Sequence, residues 1–500
     1  MKKKILFWIN SGTMNIFGLA KYLQNDMDAE FFAIYDVTDR PKKFFQEQKL
    51  VNFQKIWFYH DFIQKKTNTD LDYLKEFECK YGINLLSLAY SERIFLYNEF
   101  YKFSNNEILS ILEQESKNFE KILDDIKPDY IIMVTPYFHH DSIFFNLCKS
   151  KGITVLDLGV TRFPNRCVIS FDKIKEKYDD FKISNKTRTF DELRNYRTKN
   201  SSFSKDAHLM SGNLKSSKYD FLSAGLEYFF GENENVRTHY TYQGRSKLKV
   251  LLNYLLDKIR IKARKKFIEK YFKMDFTENR KFILFTLQVN AESATLLDAP
   301  FYINQIEVVR NISKSMPADH LLLVKEHPSS FVRSWRSVGE YKELRDIPGV
   351  VLIHPSANSQ ELMKKSSLVI SICSSSSLDA QFLEKPSIIF ADTNFSMIPS
   401  IQKVKEIEKL PELIKQTISR RIEPKEIEKY IQFVEKKSFE YNQILHGQEM
   451  QKFLYHGGVL VDVSDLPNKM NVFLENTKPR FQQLKNAYLG CIQKNNQVIQ

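Results

Sequence analysis

Residues 368–390 read LVISICSSSSLDAQFLEKPSIIF, and this stretch decides the fold class. The apolar run Leu368–Ile372 predicts a buried strand, Ser377–Glu384 predicts a helix, and Ser387–Phe390 predicts a second strand. Two strands that are joined through a helix run parallel, because a tight turn can join only antiparallel strands. The stretch therefore predicts an α/β unit built on a parallel sheet.

The same alternation of strands and helices extends on the N-terminal side of this stretch. The predicted strands are Lys281–Leu287, Leu321–Val324 and Val350–Ile353, and the predicted helices are Ile303–Ser315 and Ser359–Lys365. Repeated alternation of this kind predicts a sheet whose two faces are both covered by helices.

A second alternation opens the chain. The strand Lys4–Ile9 is followed by a turn with Gly12 and the helix Asn15–Gln24, and the strand Asp129–Thr135 comes later. A chain of 500 residues is longer than one hydrophobic core normally serves. We therefore expect two doubly wound α/β domains with added helices.

The expected division has four parts. They are an N-terminal α/β domain with a helical insertion (1–170), a polar connection with a basic amphipathic helix (171–275), a C-terminal α/β domain (276–405) and a helical extension (406–500). Within the connection, residues 171–219 are rich in lysine, serine and asparagine, which predicts an exposed or partly disordered segment.

The charge balance favours anionic partners. There are 74 Lys and Arg against 61 Asp and Glu, a net charge of +13, which suits nucleotide phosphates, acidic glycans or lipid headgroups. Nucleic-acid binding is not expected, because the basic segment lacks interleaved aromatic residues and no known module is present. The five cysteines are scattered without paired spacing, which argues against a disulfide framework or a cysteine-based zinc site and favours the cytoplasm.

The start of the chain does not predict export. Polar residues from Asn10 onward interrupt the first apolar run too early for a signal peptide. No window approaches the roughly 20 apolar residues of a membrane span. Any membrane association is therefore expected to be peripheral, at the inner face of the cytoplasmic membrane.

The segment Arg245–Lys273 holds eleven Lys and Arg against two acidic residues. Helical spacing is shown by Leu248, Leu251, Leu252, Leu255 and Ile259, so the segment predicts a basic amphipathic helix. Such a helix either bridges two domains with a solvated basic face or lies on a membrane of anionic lipid. The sequence leaves both interpretations open.

Candidate ligand groups follow the strand Leu321–Val324, in the motif Lys325-Glu326-His327-Pro328. The carboxyl edge of a parallel sheet is where ligands bind. Lys325 and His327 could pair with phosphate oxygens there and neutralise the charge of a leaving nucleotide. The alternative is an ordinary strand-end turn that Pro328 terminates.

A run of four serines, Ser374, Ser375, Ser376 and Ser377, follows the strand Leu368–Ile372. Hydroxyl groups at the start of a helix suit a phosphate group, whereas one serine would be enough for capping. A plain polar loop is the competing interpretation.

Three more residues are candidates in this domain. Asp379 could accept hydrogen bonds from a ribose diol, or it could simply complement the helix dipole. Gln288 and Glu292 lie on the loop after the strand Lys281–Leu287, where Gln288 is assigned to the donor loop. Glu292 could orient a sugar or act as a base, or it could be an exposed loop carboxylate.

In the first domain, His139, His140 and Asp141 follow the strand Asp129–Thr135. Adjacent histidines point in different directions and make no metal site without further ligands, so no metal is expected. His139 and Asp141 are instead candidates for holding an acceptor or deprotonating its hydroxyl group.

An ordered set of motifs resembles bacterial capsule and surface-carbohydrate biosynthesis proteins. The motifs are Leu287–Glu292, Ala299–Tyr302 with Gln305, Val324–Pro328, His354–Leu362, the serine run with Lys385-Pro386, Tyr90–Arg93 and Lys127–Asp129. The resemblance covers most of residues 1–170 and 276–400.

The resemblance implies a GT-B fold, in which two Rossmann-type domains face a cleft and the second domain holds the donor nucleotide. The wider group includes transferases of Kdo from cytidine monophosphate, whose His-Pro motif and serine-rich loop hold the phosphate. Carried over, this places His327, Ser375 and Ser376 at the phosphate. The sequence departs from the common pattern at Asp379-Ala380, where many such donor sites have Glu-Ala, and it lacks the glycines that often flank the phosphate loop.

The resulting hypothesis is a glycosyltransferase that uses a CMP- or UDP-linked sugar in bacterial capsule or surface polysaccharide biosynthesis. The nucleotide sugar is a substrate and no cofactor is expected, while a glycan or glycolipid acceptor would contact the first domain. One alternative is a polyol-phosphate transferase with a donor of the CDP-glycerol type, and a nucleotide-sugar 2-epimerase is another. A non-catalytic polysaccharide-binding or export component is the alternative of a different class.

Overall fold

A computed structural model describes most of the chain. The described residues are 2–37, 39–65, 68–163, 165–184, 187–199, 225–226, 229–230, 239–328, 336–456, 459–462 and 465–498.

The strands are β1 (Lys3–Asn10), β2 (Ala29–Asp36), β3 (Phe53–Phe58), β4 (Tyr130–Val134), β5 (Thr154–Val160), β6 (Arg166–Ile169), β7 (Lys281–Thr286), β8 (His320–Lys325), β9 (Val350–Ile353), β10 (Leu368–Ser371), β11 (Ser387–Ile389), β12 (Ile401–Lys403), β13 (Phe439–Glu440), β14 (Tyr455–His456) and β15 (Val459–Asp462).

The α-helices are Met14–Leu23, Asp39–Glu47, Leu71–Tyr81, Leu85–Ala89, Arg93–Leu96, Asn105–Ile126, His139–Ser150, Phe171–Lys175, Phe190–Lys199, Lys247–Tyr271, Ser293–Leu296, Gln305–Ser315, Val338–Arg345, Ser359–Lys365, Ser376–Phe382, Leu410–Ile418, Pro424–Lys437, Gln443–Leu454, Leu466–Asn476 and Lys478–Val498. Short 3-10 turns lie at Tyr59–Phe62, Tyr240–Tyr242, Pro300–Tyr302 and Ile407–Lys409.

The chain divides into two compact units. The first unit contains the described residues of Met1–Lys173, Ser202–Lys249 and Lys437–Gln500. The second unit contains those of Ile174–Ser201 and Val250–Lys436. Each unit is built around its own sheet, which confirms the prediction of two Rossmann-type α/β domains.

The sheet of the first unit has the order β13-β6-β5-β4-β1-β2-β3. Strands β1 to β5 run parallel, while β6 is antiparallel to β5 and β13 is antiparallel to β6. Both faces of β1 are buried, because Ile5, Phe7 and Ile9 pack into one apolar cluster and Leu6 and Trp8 pack into another. This is the pattern of a doubly wound sheet.

The sheet of the second unit has the order β12-β11-β10-β7-β8-β9, and all neighbouring strands are parallel. Counted from its own first strand, the order is 3-2-1-4-5-6, that of dinucleotide-binding folds. Phe285 of β7 packs into one apolar cluster and Leu284 into another, so helices cover both faces.

The structure divides the expected helical extension 406–500 between the two units. The helices Leu410–Ile418 and Pro424–Lys437 lie in the second unit, apart from Lys437 itself, whereas the residues that follow return to the first unit. The reason is an apolar stripe: Phe473 and Phe481 are fully buried in the cluster that also holds Phe17 of the helix Met14–Leu23.

The connection 171–219 also differs in part from the sequence interpretation. Phe190–Lys199 is a helix that packs within the second unit, with Leu193 fully buried. Its single buried apolar side chain among charged residues gives only a weak hydrophobic pattern, which explains why the sequence did not predict it. Residues 200–219 lie outside the described part of the chain.

No helix in the described ranges is both long enough and apolar enough to cross a bilayer.

Gly18 lies against the helices Leu466–Asn476 and Lys478–Val498. A Cβ atom at this position would overlap the Phe481 ring and would lie 2.9 Å from Cδ2 of Leu474. Gly18→Ala should therefore lower the free energy of unfolding by about 1–3 kcal/mol, because a packed core resists an added methyl group. Urea unfolding of the full chain measures this value.

Gly490→Ala is the matched control, since Gly490 also lies on a helix and no atom is within 4 Å of its added Cβ. Alanine favours helices over glycine, so the control should be neutral or gain up to about 1 kcal/mol. Equal unfolding energies for the Gly18→Ala variant and the wild type would contradict the prediction.

Candidate functional site

The candidate site lies at the carboxyl edge of the second sheet, where β7 and β10 are neighbours. From β7 the chain winds outward through β8 and β9, and from β10 it winds the opposite way through β11 and β12. The loops after β7 and β10 therefore diverge and leave a crevice, which is where open α/β sheets bind their ligands.

Three polar residues form a row across this edge. The strand register pairs Ser371 of β10 with Thr286 of β7, and Thr286 with Lys325 of β8. Because side chains alternate along a strand, all three lie on the sheet face that carries Leu284 and Leu323 two residues earlier. The apolar face thus ends in a hydroxyl, a hydroxyl and an ammonium group.

The serine run continues this row with two kinds of serine. Ser376 and Ser377 are buried: Ser376 Oγ shares a hydrogen bond of 2.7 Å with Thr286 Oγ1, and Ser377 Oγ shares one of 2.8 Å with Ser371 Oγ. Ser374 and Ser375 are partly exposed. Ser376 and Ser377 therefore brace the sheet edge, whereas the contact of Ser374 and Ser375 with a phosphate group stays a prediction.

Lys325 is almost fully buried. Its ammonium group donates a hydrogen bond of 2.9 Å to the carbonyl oxygen of Pro355. Burial lowers the pKa of Lys325 to about 8. The side chain therefore changes charge near physiological pH, which an exposed lysine does not.

The loop after β8 is held by a buried ion pair that the sequence analysis missed. Nη1 of Arg336 lies 2.8 Å from both carboxylate oxygens of Glu326, and Nη2 of Arg336 donates to the carbonyl oxygen of Gln288 at 2.7 Å. The hydroxyl of Tyr341 donates to Glu326 at 2.8 Å, and the backbone N–H of His327 donates to it at 2.7 Å. Glu326 thereby fixes the backbone on which His327 stands.

This network sets the charge of Glu326. Burial works to raise the pKa of Glu326, but the Arg336 guanidinium and the hydrogen bonds from His327 and Tyr341 outweigh burial and hold the pKa below its usual value. Glu326 is therefore an ionised anchor. Its sequence signal was its place between Lys325 and His327 in the same motif.

His327 itself is partly exposed at the end of this anchored segment. Its position at the carboxyl edge agrees with the predicted ligand contact, which stays a prediction.

Gln288 does not point into the crevice. It is buried, its side-chain oxygen accepts a hydrogen bond of 3.1 Å from the Cys373 backbone, and its own backbone N–H donates to Gln305 at 2.9 Å. Gln288 ties the loop after β7 to the loop after β10. We therefore assign it to positioning these loops rather than to the donor contact expected from the sequence.

Glu292 is partly exposed on the loop after β7, immediately before the short helix Ser293–Leu296. Within the described ranges, no hydrogen bond or ion pair involves its carboxylate. It remains available for the predicted role as a base or sugar-orienting group.

Asp379 has a protein partner in place of the expected ribose diol. Nε and Nη2 of Arg197 both donate to Oδ1 of Asp379, at 2.8 and 2.6 Å. Arg194 on the same helix pairs with Glu384 at 2.7 Å. Asp379 thus anchors the helix Phe190–Lys199 to the second unit. The sequence around Asp379 could not reveal this partner, because Arg197 lies 182 residues away along the chain.

In the first unit, His139 and Asp141 begin the helix that follows β4, and both are buried. Nε2 of His139 lies 3.1 Å from Glu115 and Nδ1 lies 3.4 Å from Glu92, while Asp141 accepts hydrogen bonds from the backbone N–H groups of Tyr137 and Phe138. These internal partners and the lack of solvent access argue against the predicted contact of His139 and Asp141 with an acceptor.

The charges in this cluster stabilise one another. Burial alone lowers the pKa of His139, but the carboxylates of Glu115 and Glu92 outweigh burial and raise the pKa to about 10. Burial raises the pKa of Asp141. His139 is accordingly an imidazolium held between two buried carboxylates, which suits a structural role rather than that of a base.

No metal site is expected from two adjacent histidines without further ligands, but the structure places further ligand groups beside them. Glu115, His139 and His140 each bring one ligand atom within 4.8 Å of the others, and so do Asp36, His140 and Asp141. The same atoms of His139 already serve its ion pairs with carboxylates. The expectation that no metal binds stays a prediction.

Part of the chain matches a known protein family. Residues 184–401 match the family model described as capsule polysaccharide biosynthesis protein. No curated protein matches the chain significantly. The family match spans β7 to β11 and reaches the start of β12, so it contains the whole candidate site and confirms the resemblance to capsule biosynthesis proteins.

Solved structures that align with the chain include two β-Kdo transferase structures of KpsC from Thermosulfurimonas dismutans. The β-Kdo 2,4 transferase is 11% identical over 60% of this chain and 78% of its own, with a TM-score of 0.31. The β-Kdo 2,7 transferase is 11% identical over 64% and 89%, with a TM-score of 0.27. The UDP-GlcNAc 2-epimerase of Neisseria meningitidis is 15% identical over 85% and 94%, with a TM-score of 0.25.

Arg336→Met should destabilise the protein by about 3–5 kcal/mol at pH 7, because it leaves the Glu326 carboxylate buried without its cation. Lowering the pH towards about 5 should recover part of the loss, since an unpaired buried carboxyl group takes up a proton more readily. Chemical unfolding at both pH values measures the effect.

Arg345→Met is the control, because Arg345 pairs with Asp346 near the surface and should lose no more than about 1 kcal/mol. Similar losses in the two variants would show that the Glu326–Arg336 pair has no special role.

His139 generates a prediction on pH. Its folded pKa of about 10 lies above the unfolded value of about 6.5, so its contribution to stability is complete below pH 6.5 and declines as the pH rises towards 10. The unfolding free energy of the wild type minus that of His139→Gln should fall by up to about 1.4 kcal/mol per pH unit in this window. A difference that does not change between pH 6.5 and 9.5 would contradict the assignment of an imidazolium.

Proposed function

We propose that this protein is a glycosyltransferase of bacterial capsule or surface polysaccharide biosynthesis that uses a nucleotide-activated sugar, CMP- or UDP-linked. One observation carries the proposal: the row Ser371, Thr286 and Lys325 ends at the switch point between β7 and β10, inside the segment that matches the capsule biosynthesis family. The nucleotide sugar is a substrate, and the proposed reaction needs no cofactor.

The proposed contacts with the donor phosphate are made by residues at the sheet edge that are partly exposed. Ser374 and Ser375 are partly exposed residues, and hydroxyl groups donate well to phosphate oxygens. His327 stands at the same edge on the backbone that Glu326 anchors. These groups would bind the phosphate of the donor and stabilise the negative charge that develops on the leaving nucleotide.

Lys325 would supply charge from beneath the ligand. A hydrogen bond to the Pro355 carbonyl holds Lys325 at the edge of the sheet. Its pKa is low because the buried ammonium group is poorly solvated and has too little negative charge nearby. An anionic phosphate would provide that counter-charge and favour the ammonium form. The structure therefore suits a lysine that gains charge as the donor binds.

The acceptor would be a glycan or glycolipid hydroxyl group. An inverting transfer requires a base, and Glu292 fits this role because its carboxylate is partly exposed on the loop after β7 and has no partner among the described residues. A retaining transfer would use no such base. A loss of turnover in Glu292→Gln at unchanged donor binding would support Glu292 as the base of an inverting transfer.

The first test is thermal-shift titration with cytidine and uridine mono- and diphosphates and their sugar conjugates. Ligands that bind only the folded state raise the melting temperature by mass action. Ser375→Ala and Lys325→Met should each weaken the affinity for the preferred nucleotide about 10- to 100-fold, as expected for lost hydrogen bonds to a charged group. Ser419→Ala, at an exposed helix end, is the matched control and should leave the affinity unchanged.

The wild-type affinity should also fall as the pH rises through about 8, because the free protein then loses the Lys325 proton that phosphate binding requires. Lys325→Met should remove this dependence. If no nucleotide shifts the wild type, the transferase proposal fails and a non-catalytic polysaccharide-binding or export component takes its place. Selective binding of a CDP-polyol would instead indicate the polyol-phosphate transferase.

A further inference from the structure

The helix Lys247–Tyr271, here called the basic helix, carries an exposed apolar surface that the proposed function does not use. Nine of its large apolar side chains are exposed, and its buried residues are Phe267 and Ile268. The exposed apolar residues are Leu248, Leu251, Leu252, Tyr254, Leu255, Leu256, Ile259, Ile261 and Tyr271. Water-exposed apolar surface of this extent marks an interaction site.

Part of this surface forms a stripe. At 100° per residue, Leu248, Leu252, Leu255, Leu256 and Ile259 fall within an arc of about 100°, the width of one helix face. Their side chains are between 48% and 71% exposed. Tyr254 and Ile261 lie outside this arc and add apolar surface to the opposite side of the helix.

The charge of the basic helix identifies its partner. Nine Lys and Arg stand on it against Asp257 and Glu269. A second copy of the chain would bring the same excess of positive charge to a symmetric helix pair and be repelled. An anionic polysaccharide would match the charges but would leave the apolar stripe in water. A bilayer with anionic headgroups matches both.

We propose that the basic helix docks the protein on the surface of an anionic lipid bilayer. The apolar stripe enters the boundary between headgroups and acyl chains, while the long stems of Lys262 and Lys266 let their ammonium groups reach the phosphates. The helix lies on the surface and does not span the bilayer, as its eleven charged residues require.

The C-terminal end of the basic helix connects this surface to the candidate site. The Phe267 ring stacks on Tyr341 with 6.2 Å between ring centres, and the Arg345 guanidinium lies 5.0 Å from the centre of the Tyr271 ring. Tyr341 is also the residue that donates a hydrogen bond to Glu326. If the proposed function holds, docking would keep the donor site close to lipid-linked acceptors. The docking proposal itself does not depend on the proposed reaction.

Vesicle flotation of the full chain tests the proposal. The vesicles contain phosphatidylcholine alone or phosphatidylcholine and phosphatidylglycerol at a ratio of about seven to three. The wild type should float with the anionic vesicles only, and the bound fraction should fall when the salt rises from about 0.1 M to about 0.5 M. Absence of binding to anionic vesicles at low salt would overturn the proposal.

Two variants separate charge from apolar contact. Lys262→Gln with Lys265→Gln should reduce the partition coefficient on the order of 30-fold, since each cation near an anionic surface adds about a factor of five. Leu252→Ser with Ile259→Ser should reduce it by at least about tenfold. All four side chains are exposed, so thermal unfolding should show unchanged stability.

The matched control is Lys415→Gln with Lys425→Gln, which lowers the net charge equally on exposed sites of other helices. The control should bind vesicles like the wild type. If it lost as much binding as Lys262→Gln with Lys265→Gln, binding would depend on net charge alone, which would overturn the assignment to the basic helix. Self-association without vesicles, abolished by the Leu252 and Ile259 substitutions, would assign the helix to a second copy and likewise overturn the proposal.

Discussion

The buried ion pair between Glu326 and Arg336 holds the candidate site together. It joins the end of β8 to the start of the helix Val338–Arg345, and through the carbonyl oxygen of Gln288 it also reaches the loop after β7. Removing two charges from water is costly, so the pair is tolerated only because hydrogen bonds from His327 and Tyr341 satisfy the remaining lone pairs. A rigid and dry support of this kind keeps the partly exposed His327 in a defined position.

The two sheets were predictable because their strands are apolar on both faces. The predicted strand Lys281–Leu287 appears as Lys281–Thr286, and Leu368–Ile372 appears as Leu368–Ser371. The predicted helix Ser377–Glu384 is shifted by a residue at its start and ends earlier, at Phe382. The two-residue strand Phe439–Glu440 escaped prediction, since it is too short to show a period.

The candidate site was predictable only as a location. Strand ends could be recognised, so Lys325, His327 and the serine run were found from their place after apolar segments. Their partners could not be found, because the pairing of Asp379 with Arg197 and of His139 with Glu115 depends on how distant helices pack. A histidine or carboxylate looks the same in sequence whether it faces solvent or an opposite charge in the core.

The path of the chain has a consequence for its synthesis. The core of the first unit contains both the helix Met14–Leu23 and the much later residues Phe473 and Phe481. A nascent chain therefore emerges from the ribosome with an unfinished first core, while most of the second unit, Val250–Lys436, is already available to fold. Until Phe473 and Phe481 have been synthesised, they cannot cover the helix Met14–Leu23, so the first core closes only after the residues of the second unit have emerged.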